Sequence, residues 1–175
     1  MYRRMDNIPG WLAGRHHARM LRADVPYHII SRTFQGRHLL RPCADLNNII
    51  VGVLGRARDV YPGTHIYAFA FLSNHVHMML QGPTDELPRF IAYVKREISH
   101  RWGKHSSVRW KGTMWQTYKA TALPTPKSQQ ICLRYILGQG VKEDLVESPL
   151  DFSRYGVTHL AVSHLAQPQG SDPKP

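Results

Sequence analysis

From residue 26 onward the apolar residues recur at two spacings, one of period two and one near 3.6, and these spacings set out the elements in order. Pro26-Tyr27-His28-Ile29-Ile30-Ser31-Arg32-Thr33-Phe34 alternates and is rich in β-formers, which predicts a strand ending at Gly36. Between Asp45 and Tyr61, residues Leu46, Ile49, Ile50, Val53, Leu54 and Ala57 form one apolar helical stripe, and Pro62-Gly63 stops it. His65 to Leu72 is apolar almost throughout, Ser73-Asn74 reads as a tight turn, and His75 to Gln81 returns as the second strand of a β-hairpin. Leu87 to Trp102 predicts a second helix, with Phe90, Ile91, Val94 and Ile98 inward and Arg89, Lys95, Arg96 and Arg101 outward. Thr113 to Ala122 predicts a last strand, ended by Leu123-Pro124-Thr125-Pro126, and Ser128 to Leu137 a third helix. This order of elements places the chain in the α+β class, an antiparallel β-sheet with helices packed on it.

The flanks lack that patterning. Residues 1–24 carry Arg3, Arg4, Arg15, Arg19 and Arg22 among Gly and Pro and read as a basic N-terminal arm, whereas 161–175, rich in Pro, Gly and Ser from Gln167, reads as a flexible tail. The segment 25–160 between them reads as one domain, since 175 residues suffice for one core but not for two ordinary ones. No run approaches the roughly 18 apolar residues of a membrane span, and Met1-Tyr2-Arg3-Arg4 is not followed by an apolar signal core, so the expectation is a cytoplasmic protein. Cys43 and Cys132 have no Cys-x-x-Cys spacing and read as two isolated buried thiols.

A net charge of +11 and a pI near 10.1 point to a polyanionic partner, because Lys and Arg neutralise phosphates with release of counterions. Anionic membrane is disfavoured by the lack of a Lys/Arg-rich amphipathic helix. Between His100 and Trp115 the cations Arg101, Lys104, Arg109 and Lys111 interleave with Trp102, Trp110 and Trp115, a composition suited to backbone contact with base stacking.

Candidate chemistry begins with His75 and His77, which alternation along a strand puts on one face, with Val76 on the other. Two adjacent imidazoles can chelate a metal, although 11 histidines would supply roughly 0.7 such pairs by chance. The opposing interpretation, a pair lining the solvent face of a half-exposed strand, stays open on the residues alone. With no Cys near in sequence, a closed structural zinc site is disfavoured. A catalytic zinc site would need His28 or His65, and an oxygen ligand would instead favour Mn²⁺ or Mg²⁺. Tyr135 is a candidate nucleophile on the third helix, with Gln139 four residues on and on the same face. The alternative for Tyr135 is an ordinary core residue.

Asn74-His75-Val76-His77 resembles the metal-binding motif of the single-tyrosine HUH transposases. Tyr27-His28-Ile29-Ile30-Ser31-Arg32 is similar to their first strand, Met114-Trp115-Gln116 to their Trp-Gln strand, and Arg134-Tyr135-Ile136, with Val141 and Leu145-Val146 beyond, to their C-terminal helix and exit. The resemblance spans about residues 25 to 155 and is nearest the REP-associated tyrosine transposases, with two departures: Gln139-Gly140-Val141 stands where Asn-Pro-Val is usual, and Ser73 where Pro commonly precedes Asn-His. It implies a ferredoxin/RRM-like HUH nuclease fold and a DNA transposase activity. On that resemblance Tyr135 would attack a DNA phosphate to leave a 5′-phosphotyrosine and a free 3′-hydroxyl, with His75, His77 and Gln139 expected to hold Mg²⁺ or Mn²⁺. It further implies single-stranded or hairpin DNA as partner and a monomer or homodimer; the basic helix and the Trp-rich segment would hold that DNA, with Arg32, Arg89, Lys95, Arg96, Lys111, Trp115 and the N-terminal arginines as the expected contacts. The competing readings are a non-catalytic nucleic-acid-binding domain and a metal-dependent hydrolase using water. A zinc nucleobase deaminase lacks its His-x-Glu and Pro-Cys-x-x-Cys.

Overall fold

In the computed structural model the described residues are 21–105, 114–142 and 147, with 157–160 as backbone. The strands are β1 (Tyr27–Arg32), β2 (His65–Leu72), β3 (His75–Gln81), β4 (Lys119–Ala122) and β5 (Val157–Leu160). The helices are α1 (Ala44–Val60), α2 (Glu86–His105), α3 (Pro126–Leu137) and the single turn α4 (Gln139–Lys142). All five strands pair antiparallel in the order β4-β1-β3-β2-β5, which makes β3 the middle strand. The fold is thus mixed α+β, an antiparallel sheet with packed helices. Among the described residues no helix is long and apolar enough to cross a membrane.

Helices cover both faces of the sheet. On one side the stripes of α1 (Leu46, Ile50, Val53, Leu54, Ala57) and α2 (Leu87, Phe90, Ile91, Val94, Ile98) meet Ile29, Phe69, Phe71, Val76, Met78 and Leu80. On the other, α3 lays Cys132 and Ile136 over Ala68, Ala70, Leu72 and Met79. After its exposed first residue, His65, strand β2 is apolar almost throughout because it has neighbours on both edges and helices on both faces. A bulge between Ile66 and Ala68 puts the phenylalanines under α1 and α2 and the alanines under α3. Small residues there let α3 approach the sheet closely.

The start of α3 is well defined. Thr125 accepts from Ser128 N at 3.1 Å, Thr125 N donates to Ser128 Oγ at 3.1 Å, and Pro126 opens the first turn. Such a capping box contributes roughly 1 kcal/mol. At the other end Gly138 keeps a helical backbone (φ −81°, ψ −1°), so α4 follows α3 with only that residue between.

Several expectations are corrected. The last strand is shorter than 113–122: Trp115 makes one isolated bridge to Thr33, and regular pairing begins only at Lys119. Cys43 is exposed at the N-cap of α1, so only Cys132 is a buried thiol, its pKa pushed up to about 12 by burial. Strand β5 and the turn α4 were not anticipated. The arginines at 3, 4, 15 and 19, the Arg109 to Lys111 segment, Leu145-Val146 and the tail lie outside the described residues.

Candidate active site

The hairpin sets out the first two side chains. Leu72 pairs with His75 across the two-residue turn Ser73-Asn74, and the register Arg32↔His75, Ile30↔His77, His28↔Met79 puts His28, Arg32, His75 and His77 on one face of the sheet. That face is roofed by α3 rather than open to solvent, so the solvent-face interpretation of the pair is not the one realised. His77 is 3% exposed, and Ala70 is its partner on β2.

Tyr135 comes down from α3 onto the same spot. Its ring meets His77 edge-on with centroids 5.3 Å apart and His28 at 5.8 Å, all within one chain. His75 and His77 lie 4.9 Å apart, ring to ring. His65, by contrast, is exposed at the far end of the hairpin, opposite Gln81, and does not join.

Hydrogen bonds orient the imidazoles. Asn74 Nδ2 donates to Gly36 O at 3.3 Å, on the turn where Gly36 takes a left-handed φ of +66°. The amide oxygen of Asn74 therefore faces His75, 2.6 Å from Nδ1. A carbonyl oxygen only accepts, so His75 Nδ1 carries the proton and Nε2 presents a lone pair. His77 Nδ1 lies 3.0 Å from His28 Nε2, leaving Nε2 as its open nitrogen. Gln139 is 1% exposed, and its Nε2 donates to Tyr135 O at 3.2 Å, one helical turn back, which turns the amide oxygen away from its own backbone.

Among the described residues no three His, Cys, Asp or Glu side chains form a metal-holding group. The set expected from the sequence differs in kind, two imidazoles and an amide oxygen. Its two imidazoles suit a divalent cation chemically: both ring Nδ1 atoms are engaged by neighbours while both Nε2 atoms remain, the usual arrangement of ligating histidines.

Burial keeps these rings neutral. It holds His28 down at about 4, and it lowers His75 to about 4 with help from the positive charges of Arg32 and Lys142. His77 sits well below the ordinary histidine value, through burial first and then its neighbours His28, His75, Lys142 and Arg32. Each folded-state pKa is below the unfolded value of 6.5, so the unfolded chain binds more protons between them. This stability is complete above pH 6.5 and falls as the pH drops towards 4. For His28 alone it amounts to roughly 3 kcal/mol. Urea midpoints measured with a chelator at pH 7.5, 6 and 5 should therefore decline steadily, and a midpoint flat across that range would contradict the burial argument.

Lys142 is the residue that sequence reasoning missed. From α4 its Nζ donates to Tyr135 Oη at 3.3 Å and stands 4.7 Å from the ring centroid. Its spacing, three residues after Gln139 and seven after Tyr135, was the available signal.

The expected DNA contacts separate into groups. Arg32 is exposed at the end of β1 opposite His75, beside the site. Arg89, Lys95 and Arg96 belong to α2, which packs on the other face of the sheet, so the structure does not bring them to the histidines. Arg89 and Arg96 are exposed and paired with Asp85 and Glu97. Lys95 is half-buried, its Nζ donating to Gln116 O at 2.7 Å, and burial lowers its pKa to about 8. Trp115 is 7% exposed, and its indole N–H lies 2.9 Å from Ser99 Oγ and 3.0 Å from Lys95 O. That corrects the expectation of base stacking: in this position the indole fills core. Lys111 lies outside the described residues. A cleft of about 540 Å³ between α1 and the start of β2, lined by Arg58, Asp59, Thr64 and His65 among others, is at the opposite end of the hairpin from His75.

No protein-family model matches the chain, and no curated protein does. Among solved structures, a REP-associated tyrosine transposase bound to a REP hairpin is similar, with a TM-score of 0.65 at 16% identity over 82% of each chain. A putative transposase from Deinococcus radiodurans gives a TM-score of 0.44 at 22% identity, over 65% of this chain and 89% of that one. The first likeness is one of fold. The second carries no weight.

Proposed function

We propose that the chain is a metal-dependent endonuclease and strand transferase for single-stranded, hairpin-flanked DNA, an HUH-type tyrosine transposase with Tyr135 as nucleophile. The observation that carries the reading is the contact of Tyr135 with His77 at 5.3 Å between ring centroids in one chain. A nucleophile and two nitrogen donors thus converge on one small region. The strand order β4-β1-β3-β2, built from a βαββαβ run, supports the ferredoxin-like arrangement of that family. The fold likeness to a transposase bound to a REP hairpin supports the choice of substrate.

In the proposed reaction Tyr135 Oη forms a bond to phosphorus and the bond from phosphorus to the 3′-oxygen breaks. The phenolic proton passes to solvent, and the departing oxygen takes one up as a 3′-hydroxyl. A divalent cation held by His75 Nε2, His77 Nε2 and Gln139 Oε1 would supply positive charge at the phosphate when bound. Lys142 holds the phenol oxygen through one N–H and keeps its others for the phosphate, and Arg32 gathers the backbone at the edge of β1. Reversal of the same step rejoins strands without an external energy source.

The test is incubation with hairpin-flanked single-stranded DNA and Mn²⁺ or Mg²⁺. A covalent protein–DNA adduct that survives denaturation is expected. Tight binding with no adduct across a panel of hairpins would identify a binding domain instead. Replacing Lys142 with Met should slow single-turnover adduct formation on the order of 10²-fold, while Lys142→Arg retains most of it; equal rates for Met and Arg would remove the charge from the mechanism.

A further inference from the structure

Among the described residues, one buried side-chain atom has no hydrogen-bond partner, and it belongs to the site: His28 Nδ1. His28 is 1% exposed in the middle strands of the sheet, and its ring stacks on His77 with centroids 5.2 Å apart and planes 21° from parallel. A buried polar atom left alone is rare enough to need a physical account.

The account lies in the proton between His28 Nε2 and His77 Nδ1, 3.0 Å apart. Both rings are buried, His28 1% and His77 3% exposed, which disfavours a charge on either; as neutral imidazoles each carries one N–H, and only two arrangements make this bond. In the first, His28 Nε2–H donates to His77 Nδ1. His77 then has its own proton on Nε2 and offers the site no lone pair, while His28 Nδ1 is a bare acceptor. In the second, His77 Nδ1–H donates to His28 Nε2. His77 Nε2 is then free to ligate, and the remaining proton of His28 is on Nδ1, where no acceptor meets it. The first arrangement buries an unused lone pair and the second an unused N–H; orphaned N–H groups are the less tolerated of the two.

We propose that His28 is a positioning residue whose shared proton with His77 decides whether His77 can act as a ligand, the two rings changing tautomer together. In the cation-free chain the pair rests with both protons on Nε2, and binding at His77 moves both to Nδ1. His75 has no such choice, because Asn74 holds its tautomer in the ligating form. The two histidines of one motif are therefore not equivalent: one is preset, and the other is coupled to a buried partner on the neighbouring strand. The inference rests on the proposed ligand role of His77 but not on the chemistry of Tyr135.

Long-range ¹H–¹⁵N correlation of the imidazoles reads tautomers directly, with signals assigned by single substitution. In chelator, His28 and His77 should both show Nε2–H and His75 Nδ1–H. Titration with Zn²⁺, a diamagnetic probe, should move His28 and His77 together to Nδ1–H. A His77 already in the Nδ1–H form without cation, or a His28 that stays put while His77 changes, would overturn the proposal. His28→Phe should weaken Mn²⁺ binding by roughly 10- to 100-fold with the amide spectrum of the fold preserved, and His28→Gln, which keeps an acceptor in reach, should restore most of it. Equal affinities in wild type and His28→Phe would also overturn it. Because these readings need no DNA, loss of adduct formation with intact tautomer coupling would count against the transferase reading alone.

Discussion

Tyr135→Phe is expected to abolish covalent adduct formation, with single-turnover cleavage of hairpin-flanked DNA down by about 10³-fold or more. The substitution is clean on structural grounds. The ring keeps its edge contacts with His28 and His77, and Cys132 and Ile136 still seat α3 on the sheet. What is removed is the hydroxyl and with it the bond from Lys142. Hairpin binding, measured by fluorescence anisotropy, should change by no more than a few-fold. Cleavage retained at the wild-type rate would assign the chemistry to water and make the chain a hydrolase, which is the one outcome that leaves the histidines in place while displacing the tyrosine.

The arrangement also bears on how a protomer assembles its site. Gly138 keeps a helical backbone, so α4 follows α3 directly, and both Gln139 and Lys142 fold back onto Tyr135 of the same chain. Nothing in this geometry requires exchange of the helix between copies. A heterodimer of Tyr135→Phe with His77→Ala should then stay inactive, whereas a site completed by exchange would recover activity in one of its two halves.

The hairpin was legible almost residue by residue, because β2 and β3 are flanked by turn residues and the two-residue connection fixes the register. Their apolar density also implied a central position, which β3 occupies. The edges were less legible for a physical reason. Val157–Leu160 is four residues long, too short for period two to stand out, and Trp115 to Tyr118 runs beside β1 with one bridge and one backbone hydrogen bond, from Gln116 N to Arg32 O, rather than as a ladder. Side-chain roles failed where composition was asked to give orientation. Cations interleaved with tryptophans look the same in sequence whether the indole faces a base or, as at Trp115, the core. Arg89 and Arg96 on α2 were read correctly as outward while Lys95 is half-buried against Gln116 O, and which face of the sheet α2 would cover could not be derived from its own periodicity. At the site the sequence placed His75 and His77 on one face. It offered His28 and His65 as equal candidates to join them without deciding which, and it could not supply the roof over them or Lys142, since each depends on a contact between elements distant along the chain.

The double substitution of His75 and His77 by Ala should remove measurable Mn²⁺ binding at the site and lower adduct formation by on the order of 10²- to 10³-fold, with the single variants separating two contributions. His75 is only partly buried, and its Nδ1 partner Asn74 remains bonded to Gly36, so His75→Ala should lose affinity for the cation with little effect on folding. His77 is 3% exposed, stacks on His28 and supports Tyr135. Its removal strips His28 Nε2 of its partner His77 Nδ1, and a buried group left so costs roughly 1–3 kcal/mol. His77→Ala should accordingly lower the urea midpoint more than His75→Ala, at pH 7.5 in chelator, where the rings are neutral. Isothermal titration with Mn²⁺ and the adduct gel read the two effects apart. Wild-type adduct yield from the double variant would dismiss the histidines as ligands while leaving Tyr135 as the nucleophile, and equal urea midpoints for the two single variants would show that the contact between His28 and His77 contributes nothing to holding the sheet and α3 together.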